Sequence, residues 1–202
     1  AASVFLVRAA RNASAIRARH LPPSAPHCNR ASPYAVAKAS AYWQVATYRE
    51  AYGMFACTGI LANHESPLRP KRFVTQKIIE GVRAIKAGNA STIQLGNLDI
   101  WRDWGWAPDY VKAMQLMLQA EQPGDYLIAS GTTTSLRQFA QAAFAAADLD
   151  MAEHLESVEA LKRPADLEYS AMNPRRIKAD LGWVSKRAIG EIVAKMYTNE
   201  LL

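Results

Sequence analysis

A helix signal, an apolar run and a polar tripeptide follow one another without a break in the first third of the sequence. The helix is predicted from Pro33 to about Tyr52, with Ser32 as its N-cap and Gly53 as the residue that ends it. Met54–Ala62 is nearly unbroken apolar sequence, which is typical of a strand buried in a parallel sheet. Asn63–Glu65 is then expected as a polar loop after the carboxyl end of this strand, where open α/β sheets bind their ligands. The succession predicts half of a doubly wound unit with a ligand site after its strand.

The rest of the sequence continues the alternation of helices and strands. A helix from Arg72 to Lys86 is predicted to end at Gly88, and another begins near Asp109. In the second of these helices, the stripe of side chains expected to face the core comprises Val111, Met114, Met117 and Leu118. The other predicted elements are strands at Ser91–Leu95 and Tyr126–Ala129, a helix opened by a capping box at Ser135, a short helix from Asn173 to Gly182, and a last helix with Ile189, Ile192, Val193 and Met196. This alternation indicates the α/β class.

Tyr34 and Lys38 stand four residues apart in the first turns of the predicted helix. At this spacing the two side chains leave the same face one turn apart, so the ammonium can lower the pKa of the phenol. A fall of about 3 units from the usual value near 10 would make a tyrosine a base at neutral pH. The pair is therefore a candidate acid–base site.

Composition and cysteine use limit the classes of protein. The chain has 202 residues, of which 50% are hydrophobic, enough for one domain or two small ones. No apolar run reaches the length of about 18 residues that a membrane span needs, so no membrane association is expected. Cys28 and Cys57 are isolated, which fits a reducing cytoplasm. His20, His27, His64 and His154 show no ligand spacing, so no metal is expected.

The net charge of +6 has a local origin. Residues 1–31 contain five arginines and no acid, and subtracting these five charges leaves +1 for residues 32–202. No basic face interleaved with aromatic residues emerges, so a nucleic-acid partner is not expected. The segment 1–31 is interpreted as foreign to the fold, from a damaged gene product or a shifted reading frame, with a mitochondrial transit peptide as the alternative. The strand at Met54–Ala62 is then expected to be unpaired on one side, giving an aggregation-prone or partner-dependent product.

Several motifs give the sequence a specific resemblance. They are Tyr34 with Lys38, Asn63–His64–Glu65–Ser66–Pro67, Phe73–Val74–Thr75–Gln76–Lys77, and Gly96–Asn97–Leu98–Asp99–Ile100–Trp101–Arg102–Asp103–Trp104–Gly105. With them, the chain from about Ser32 to about Met196 resembles the GDP-mannose 4,6-dehydratase family of the extended short-chain dehydrogenase/reductases. The resemblance does not cover residues 1–31.

The resemblance implies an α/β fold with two parts. The first is the remnant of a doubly wound NAD(P)-binding Rossmann sheet, expected at 32–65 and 101–122, whose N-terminal half is missing. The second is a smaller α/β substrate-binding domain for a nucleotide sugar, expected at 66–100 and 123–202. The complete enzyme is expected to be a homo-oligomer, either a dimer or a tetramer.

The resemblance also implies roles for individual residues. NADP would be bound by His64, Arg69 and, at the nicotinamide ribose, Tyr34 and Lys38. GDP-mannose would be contacted by Asn63, Lys77, Arg102, Arg163 and Asp166. Asp166, the expected contact to the ribose of GDP, stands where the family usually has the longer carboxylate glutamate. Arginine suits a diphosphate because its guanidinium offers several fixed donors.

The implied reaction is an internal redox dehydration that makes GDP-4-keto-6-deoxymannose, a precursor of fucose and other deoxysugars. A tyrosinate takes the proton of the sugar 4-hydroxyl while hydride passes to NADP, and a glutamate assists the loss of water from C6 before the hydride returns. Two alternatives stay open. One is another nucleotide-sugar enzyme, an epimerase or a GDP-4-keto-6-deoxymannose reductase, and the other is a non-catalytic GDP-sugar-binding protein.

The 202 residues alone are expected to be a truncated, inactive form of this lyase. No G-x-x-G-x-x-G or G-x-G-x-x-G occurs in the sequence, so the pyrophosphate of a dinucleotide has no glycine-rich turn to receive it. The family's Ser or Thr and glutamate base precede the tyrosine, but here the first acidic residue is Glu50.

Overall fold

The structure is a computed structural model that describes residues 33–161 and 167–201, and the backbone of residues 2–8. The chain alternates helices with short strands, as the α/β prediction requires. In order, the elements are β1 (Ala2–Arg8), α1 (Pro33–Tyr52), β2 (Phe55–Leu61), β3 (Asn63–Glu65), α2 (Val74–Lys86), β4 (Ile93–Leu95), β5 (Trp101–Trp106), α3 (Ala107–Gln119), β6 (Asp125–Ile128), β7 (Thr133–Ser135), α4 (Leu136–Ala145), α5 (Met151–His154), β8 (Leu155–Ser157), a 3₁₀ turn (Glu159–Leu161), α6 (Arg175–Leu181) and α7 (Ile189–Thr198).

The main sheet has three strands in the order β1-β2-β6. β2 is buried along all of its seven residues and pairs in parallel with β6, with Thr58 opposite Asp125. On its other side β2 pairs with β1 in antiparallel, and Ala2 lies opposite Leu61. The central position of β2 explains its unbroken apolar sequence, because neither face nor edge of the strand meets water.

A second sheet continues from the carboxyl end of the first. It has the order β3-β5-β7, in which β3 and β5 are parallel and β5 and β7 antiparallel. Ala62 separates β2 from β3, and its N–H donates to the carbonyl of Ile128 at the end of β6. A separate pair, β4 and β8, forms a two-stranded parallel sheet.

Two hydrophobic clusters hold these layers together. One packs β2, α3 and β6 with Ile177 of α6 and Trp183. The other packs α2, α4 and α7 against β4 and β5. Tyr126 and Ile128 of β6 belong to the first cluster, together with α6, although the sequence analysis assigns both segments to the substrate domain. The proposed division into two domains stays a prediction.

Most predicted elements are confirmed with their caps. α1 spans the predicted residues, and Gly53 ends it at a φ of +62°, in the left-handed region that glycine adopts without strain. α2 ends before Gly88, and α6 before Gly182. At α4 the Ser135 hydroxyl accepts from the Gln138 N–H at 3.1 Å, and the Gln138 side chain accepts from the Ser135 N–H at 2.9 Å, which forms the predicted capping box.

The buried stripe of α3 differs from the prediction. Tyr110, Ala113 and Met117 are fully buried, whereas Val111 is 60% exposed. Of the predicted stripe, Met117 alone is buried, so the stripe is rotated by one residue from the predicted phase. The apolar residues Val111, Met114 and Leu118 each directly follow a buried residue of the helix. The hydrophobic pattern therefore fits two helix faces that differ by one residue, and periodicity alone does not separate them.

The prediction of an unpaired edge on β2 is wrong, because β1 covers that edge along its whole length. Residues 2–8 are therefore part of the sheet and not foreign to the fold, and α1 and α3 also contact this strand. The brief apolar run Val4–Val7 is the sequence signal for β1.

Asn63–Glu65, expected as a loop, is also a strand, although it still follows the carboxyl end of β2. In the described part of the chain, no helix combines the length and apolarity that a membrane crossing requires.

Candidate functional site

The carboxyl ends of the parallel strands β2 and β6 lie side by side, and they are followed by Asn63 and Ser130 respectively. This is the edge at which open α/β sheets bind ligands. Asn63 is half-buried and lies opposite Trp104 of β5. The candidate site is therefore built from β3, the loop after it, and the neighbouring segment Ala129–Thr132.

His64 is held in one orientation at this edge. Its Nδ1 lies 3.0 Å from the carbonyl oxygen of Ala62, and since a carbonyl can only accept, Nδ1 carries the proton. The ring also lies against Tyr110, with the ring centroids 5.4 Å apart. Burial lowers the pKa of His64, and the positive charge of Arg69 lowers it further, while the bond to Ala62 opposes both. The neutral ring thus offers Nε2 as an acceptor, which suits a hydroxyl group of a ligand.

Arg69 lies next to His64 and is oriented by two neighbours. Its Nε is 3.4 Å from Oε2 of Glu65, and its guanidinium carbon lies 3.8 Å from the centroid of the Phe73 ring. Two of the four residues predicted to bind NADP, His64 and Arg69, are thus brought together. Glu65 is 1% exposed, and its Oε2 also accepts a hydrogen bond of 2.7 Å from the hydroxyl of Thr75.

Tyr34 and Lys38 lie on α1, as predicted, and their side chains are neighbours. Lys38 Nζ is 5.7 Å from the centroid of the Tyr34 ring, so the ammonium lies over the face of the phenol ring. Tyr34 is 57% exposed. The predicted N-cap, Ser32, lies outside the described residues. The helical spacing therefore gives the expected neighbourhood of a phenol and a cation.

A buried cluster fixes α1 on the main sheet. The guanidinium of Arg49 donates to both oxygens of Asp125, at 2.5 and 3.2 Å, and its Nε donates to the carbonyl of Ala56 at 2.7 Å. The hydroxyl of Tyr42 donates to the same carboxylate at 3.2 Å. Burial raises the pKa of Tyr42 to about 12, and the charge of Asp125 adds to this rise. The cluster sets the position of the helix that carries Tyr34 and Lys38.

The predicted substrate residues Lys77 and Arg102 lie on α2 and β5 and contact main-chain oxygens. Lys77 Nζ donates to the carbonyl of Gln94 at 2.8 Å. Arg102 Nη1 donates to the carbonyl of Trp101 at 2.8 Å and lies 3.4 Å from that of Glu168. Arg163 and Asp166 lie outside the described residues.

Asp103 is a buried acid at this edge that the sequence analysis did not single out. Its carboxylate accepts from the N–H groups of Ser130 and Gly131, at 2.9 and 2.8 Å. Burial raises the pKa of Asp103, although these hydrogen bonds oppose the rise. Asp103 thus fixes the loop after β6. Its position beside Arg102 in the Trp–Arg–Asp–Trp–Gly motif was the available signal.

The His, Cys, Asp and Glu side chains of the described ranges are dispersed. Among residues 33–161 and 167–201, no three His, Cys, Asp or Glu side chains come together in a way that could hold a metal ion. Cys57 lies buried in β2, with its Sγ 3.5 Å from the carbonyl of Met117.

The order of strands and helices defines a Rossmann-like α/β fold. RMD from Pseudomonas aeruginosa, solved in complex with NADPH, shares this fold with a TM-score of 0.75 and 19% identity over 84% of this chain and 55% of its own. UDP-glucose 4-epimerase from Thermus thermophilus, solved with NAD, gives a TM-score of 0.70 and 23% identity over 83% of this chain and 53% of its own.

The chain belongs to the GDP-mannose 4,6 dehydratase family, whose model matches residues 23–196. The match begins before Ser32, where the sequence analysis placed the start of the resemblance, and it ends at Met196 as predicted. GDP-mannose 4,6 dehydratase of Dictyostelium discoideum is 43% identical over 187 residues, and GDP-mannose 4,6 dehydratase 1 of Arabidopsis thaliana is 41% identical over 170. These alignments cover 84% of this chain but 52% and 47% of the relatives, so the chain spans about half their length.

Proposed function

We propose that this chain contains the nucleotide-sugar half of a GDP-mannose 4,6-dehydratase, a carbon–oxygen lyase that converts GDP-mannose to GDP-4-keto-6-deoxymannose. The observation that carries the proposal is family membership over residues 23–196. The neighbouring positions of His64 and Arg69 at the carboxyl edge of the sheet support it. In the complete enzyme the product would enter the synthesis of GDP-fucose and other deoxysugars.

NADP is the cofactor that the proposal requires, and it would accept and return the hydride of the sugar. Part of its binding site fits the residues present. Arg69 supplies a fixed cation for an anionic group, and His64 supplies an acceptor for a hydroxyl. Tyr34 and Lys38 would hold the nicotinamide ribose, and Tyr34, as the tyrosinate, would take the proton of the sugar 4-hydroxyl.

For GDP-mannose, the proposed contacts are Asn63, Lys77, Arg102, Arg163 and Asp166. Lys77 and Arg102 are side chains with several N–H donors, which suit a diphosphate. Lys77 donates to the carbonyl of Gln94 and Arg102 to that of Trp101, so a diphosphate in place of these carbonyls would replace a neutral acceptor by a charged one. Hydrogen bonds to charged groups are about twice as strong as neutral ones, which favours that exchange.

The proposal includes a homo-oligomer in the complete enzyme. α1 has 20 residues, and of those that are exposed Glu50 is the one that carries a charge. Val36, Trp43 and Tyr48 are 42–52% exposed on this helix. An apolar helix surface of this kind suits burial against a second copy of the chain.

The proposed compartment is the cytoplasm, where Cys57 would remain reduced.

Calorimetric titration of the 202-residue chain with GDP-mannose tests the substrate assignment. We expect binding, and Arg102→Ala should weaken it by about tenfold or more, since a hydrogen bond to a charged group contributes about 1.5–3 kcal/mol. Arg137→Ala is the matched control, because Arg137 pairs with the exposed Asp99 on another part of the surface. No binding, or equal binding by both variants, would contradict the assignment.

Incubation of the same chain with NADP and GDP-mannose tests its activity. We expect no 4-keto-6-deoxy product, because no glycine-rich turn and no acid before Tyr34 occur in these 202 residues. Product formation would overturn this part of the proposal. In a complete enzyme that carries residues 32–196, product analysis distinguishes the dehydratase from an epimerase, a reductase or a non-catalytic GDP-sugar-binding protein.

A further inference from the structure

Glu65 is a buried carboxylate to which the proposed reaction gives no role. It is the last residue of β3 and lies opposite Trp106 of β5, which is itself fully buried. Placing a carboxylate in such surroundings is unfavourable unless it is paired and hydrogen-bonded. The partners of Glu65 therefore indicate what its charge does.

Both partners of Glu65 come from the segment that follows β3. The Thr75 hydroxyl, in the first turn of α2, donates to Oε2 at 2.7 Å, and Arg69 Nε lies 3.4 Å from the same oxygen. Between them the loop forms two turns, closed by the N–H of Arg69 on the carbonyl of Ser66 and by the N–H of Phe73 on that of Pro70. One carboxylate thus connects the end of a strand, a loop cation and the start of a helix.

The ion pair with Glu65 constrains the Nε side of the Arg69 guanidinium. Nε lies 3.4 Å from Oε2 of Glu65, which is an ion-pair distance without a hydrogen bond, and the planar group lies over the Phe73 ring at 3.8 Å. The ion pair with Glu65 uses Nε, which leaves the Nη1 and Nη2 donors of Arg69 for an anionic ligand. A guanidinium fixed in this way needs little ordering when a ligand binds.

We propose that Glu65 is a positioning residue that orients Arg69, and with it the cation next to His64, before an anionic ligand binds. The ligand class, a nucleotide phosphate, rests on the proposed function, but the orientation of Arg69 does not. A substitution that removes the charge of Glu65 and keeps its shape should therefore release Arg69 while the fold persists.

Modification of arginines by phenylglyoxal at pH 8, located by mass spectrometry, tests the proposal on the full chain without any nucleotide. In Glu65→Gln we expect Arg69 to react about tenfold faster, which corresponds to the loss of about 1.4 kcal/mol of restraint. The matched control is Glu80→Gln, since Glu80 lies on α2 and pairs with Arg83 of the same helix and with Lys71 of the preceding loop. In this control the rate at Arg69 should not change.

Arg137 provides an internal reference for unfolding. If Glu65→Gln unfolded the chain, buried and exposed arginines would all react faster, and Thr75→Val, which retains the carboxylate, would then serve as the milder variant with a smaller increase at Arg69. An unchanged rate at Arg69 in a folded Glu65→Gln chain would overturn the proposal. Titration with NADP is a separate measurement, so failure of cofactor binding alone would contradict the proposed function and not the role of Glu65.

Discussion

At the scale of single residues, the candidate site is organised by acids that are buried and not by exposed cations. Glu65 and Asp103 are 1% and 3% exposed, and each fixes a loop at the carboxyl edge of the sheet. A carboxylate that accepts several fixed donors orients them, and in return it loses hydration. Such a residue is expected to reveal itself in the pH dependence of stability.

Glu65 should make the protein less stable as the pH rises toward neutrality. Burial raises its pKa from an ordinary value of 4.5 to about 7, although Arg69 and Thr75 oppose this rise. Between these two values the folded state binds more protons than the unfolded state, so the free energy of unfolding falls as pH increases. The full effect is about 3 kcal/mol.

Urea unfolding of wild type and Glu65→Gln from pH 5 to pH 8 measures this contribution as the difference between their slopes. His64 acts in the opposite direction, because burial lowers its pKa and the folded state prefers its neutral form, but it is present in both proteins. In Glu80→Gln the slope should match wild type, since ion pairing with Lys71 and Arg83 lowers the pKa of Glu80, so its titration lies below this range. Parallel curves for all three proteins would refute the assignment.

At the scale of elements, α1 depends on one buried ion pair for its position. Tyr42 is the single fully buried residue of this helix, so apolar burial alone stabilises its docking weakly. Arg49 and Tyr42 both donate to Asp125, which connects the second half of the helix to β6. The placement of Tyr34 and Lys38 therefore depends on a carboxylate in a distant part of the sequence.

Asp125→Asn should lower the free energy of unfolding by about 2–4 kcal/mol, because it leaves Arg49 largely buried without its charge partner. The matched control is Asp99→Asn, whose side chain is 70% exposed and pairs with Arg137. An exposed pair contributes about 0–1 kcal/mol, so the control should change little. Equal effects in the two variants, measured by urea unfolding, would show that the Asp125 cluster does not fix α1.

The same scale shows which features the sequence can predict. α1, β2 and the caps at Gly53, Gly88 and Ser135 were predictable because each depends on local pattern or turn chemistry. The three-residue strand β3 was missed because its pairing with β5 is non-local, and so short a strand has no period of its own. In the site, the positions of His64 and Arg69 follow from motifs, whereas the roles of Glu65 and Asp103 depend on burial, which no local pattern records.

At the scale of the whole molecule, β1 makes β2 the central strand of the main sheet and covers the edge that β2 would otherwise expose. β2 is apolar over its full length, and without β1 its edge would present unpaired backbone groups. The chain therefore supplies its own cover for the strand that is most prone to association.

Deletion of residues 1–8 should expose β2 and cause self-association. Hydrogen exchange of the amides of Phe55–Leu61 should accelerate at least about tenfold, the factor for each 1.4 kcal/mol of lost protection, and size-exclusion chromatography should show higher oligomers. Amides of α4, in the other hydrophobic cluster, serve as the internal control. If β2 remains protected in a monomeric deletion variant, β1 is not the element that stabilises this edge.

The direction of β1 has a topological consequence for ligands. Because β1 runs opposite to β2, it presents its amino end, at Ala2, beside the carboxyl end of β2 at Leu61. A parallel neighbour at that position would lead into a loop and then a helix, whose N-terminal amide groups could face a phosphate. An antiparallel neighbour instead runs away from the ligand edge. The carboxyl end of β1, at Arg8, therefore lies at the opposite edge of the sheet, and a helix that followed it would begin at that opposite edge. A parallel strand that placed a helix N-terminus beside the carboxyl end of β2 would have to take the position of β1, whose seven residues are all paired with β2.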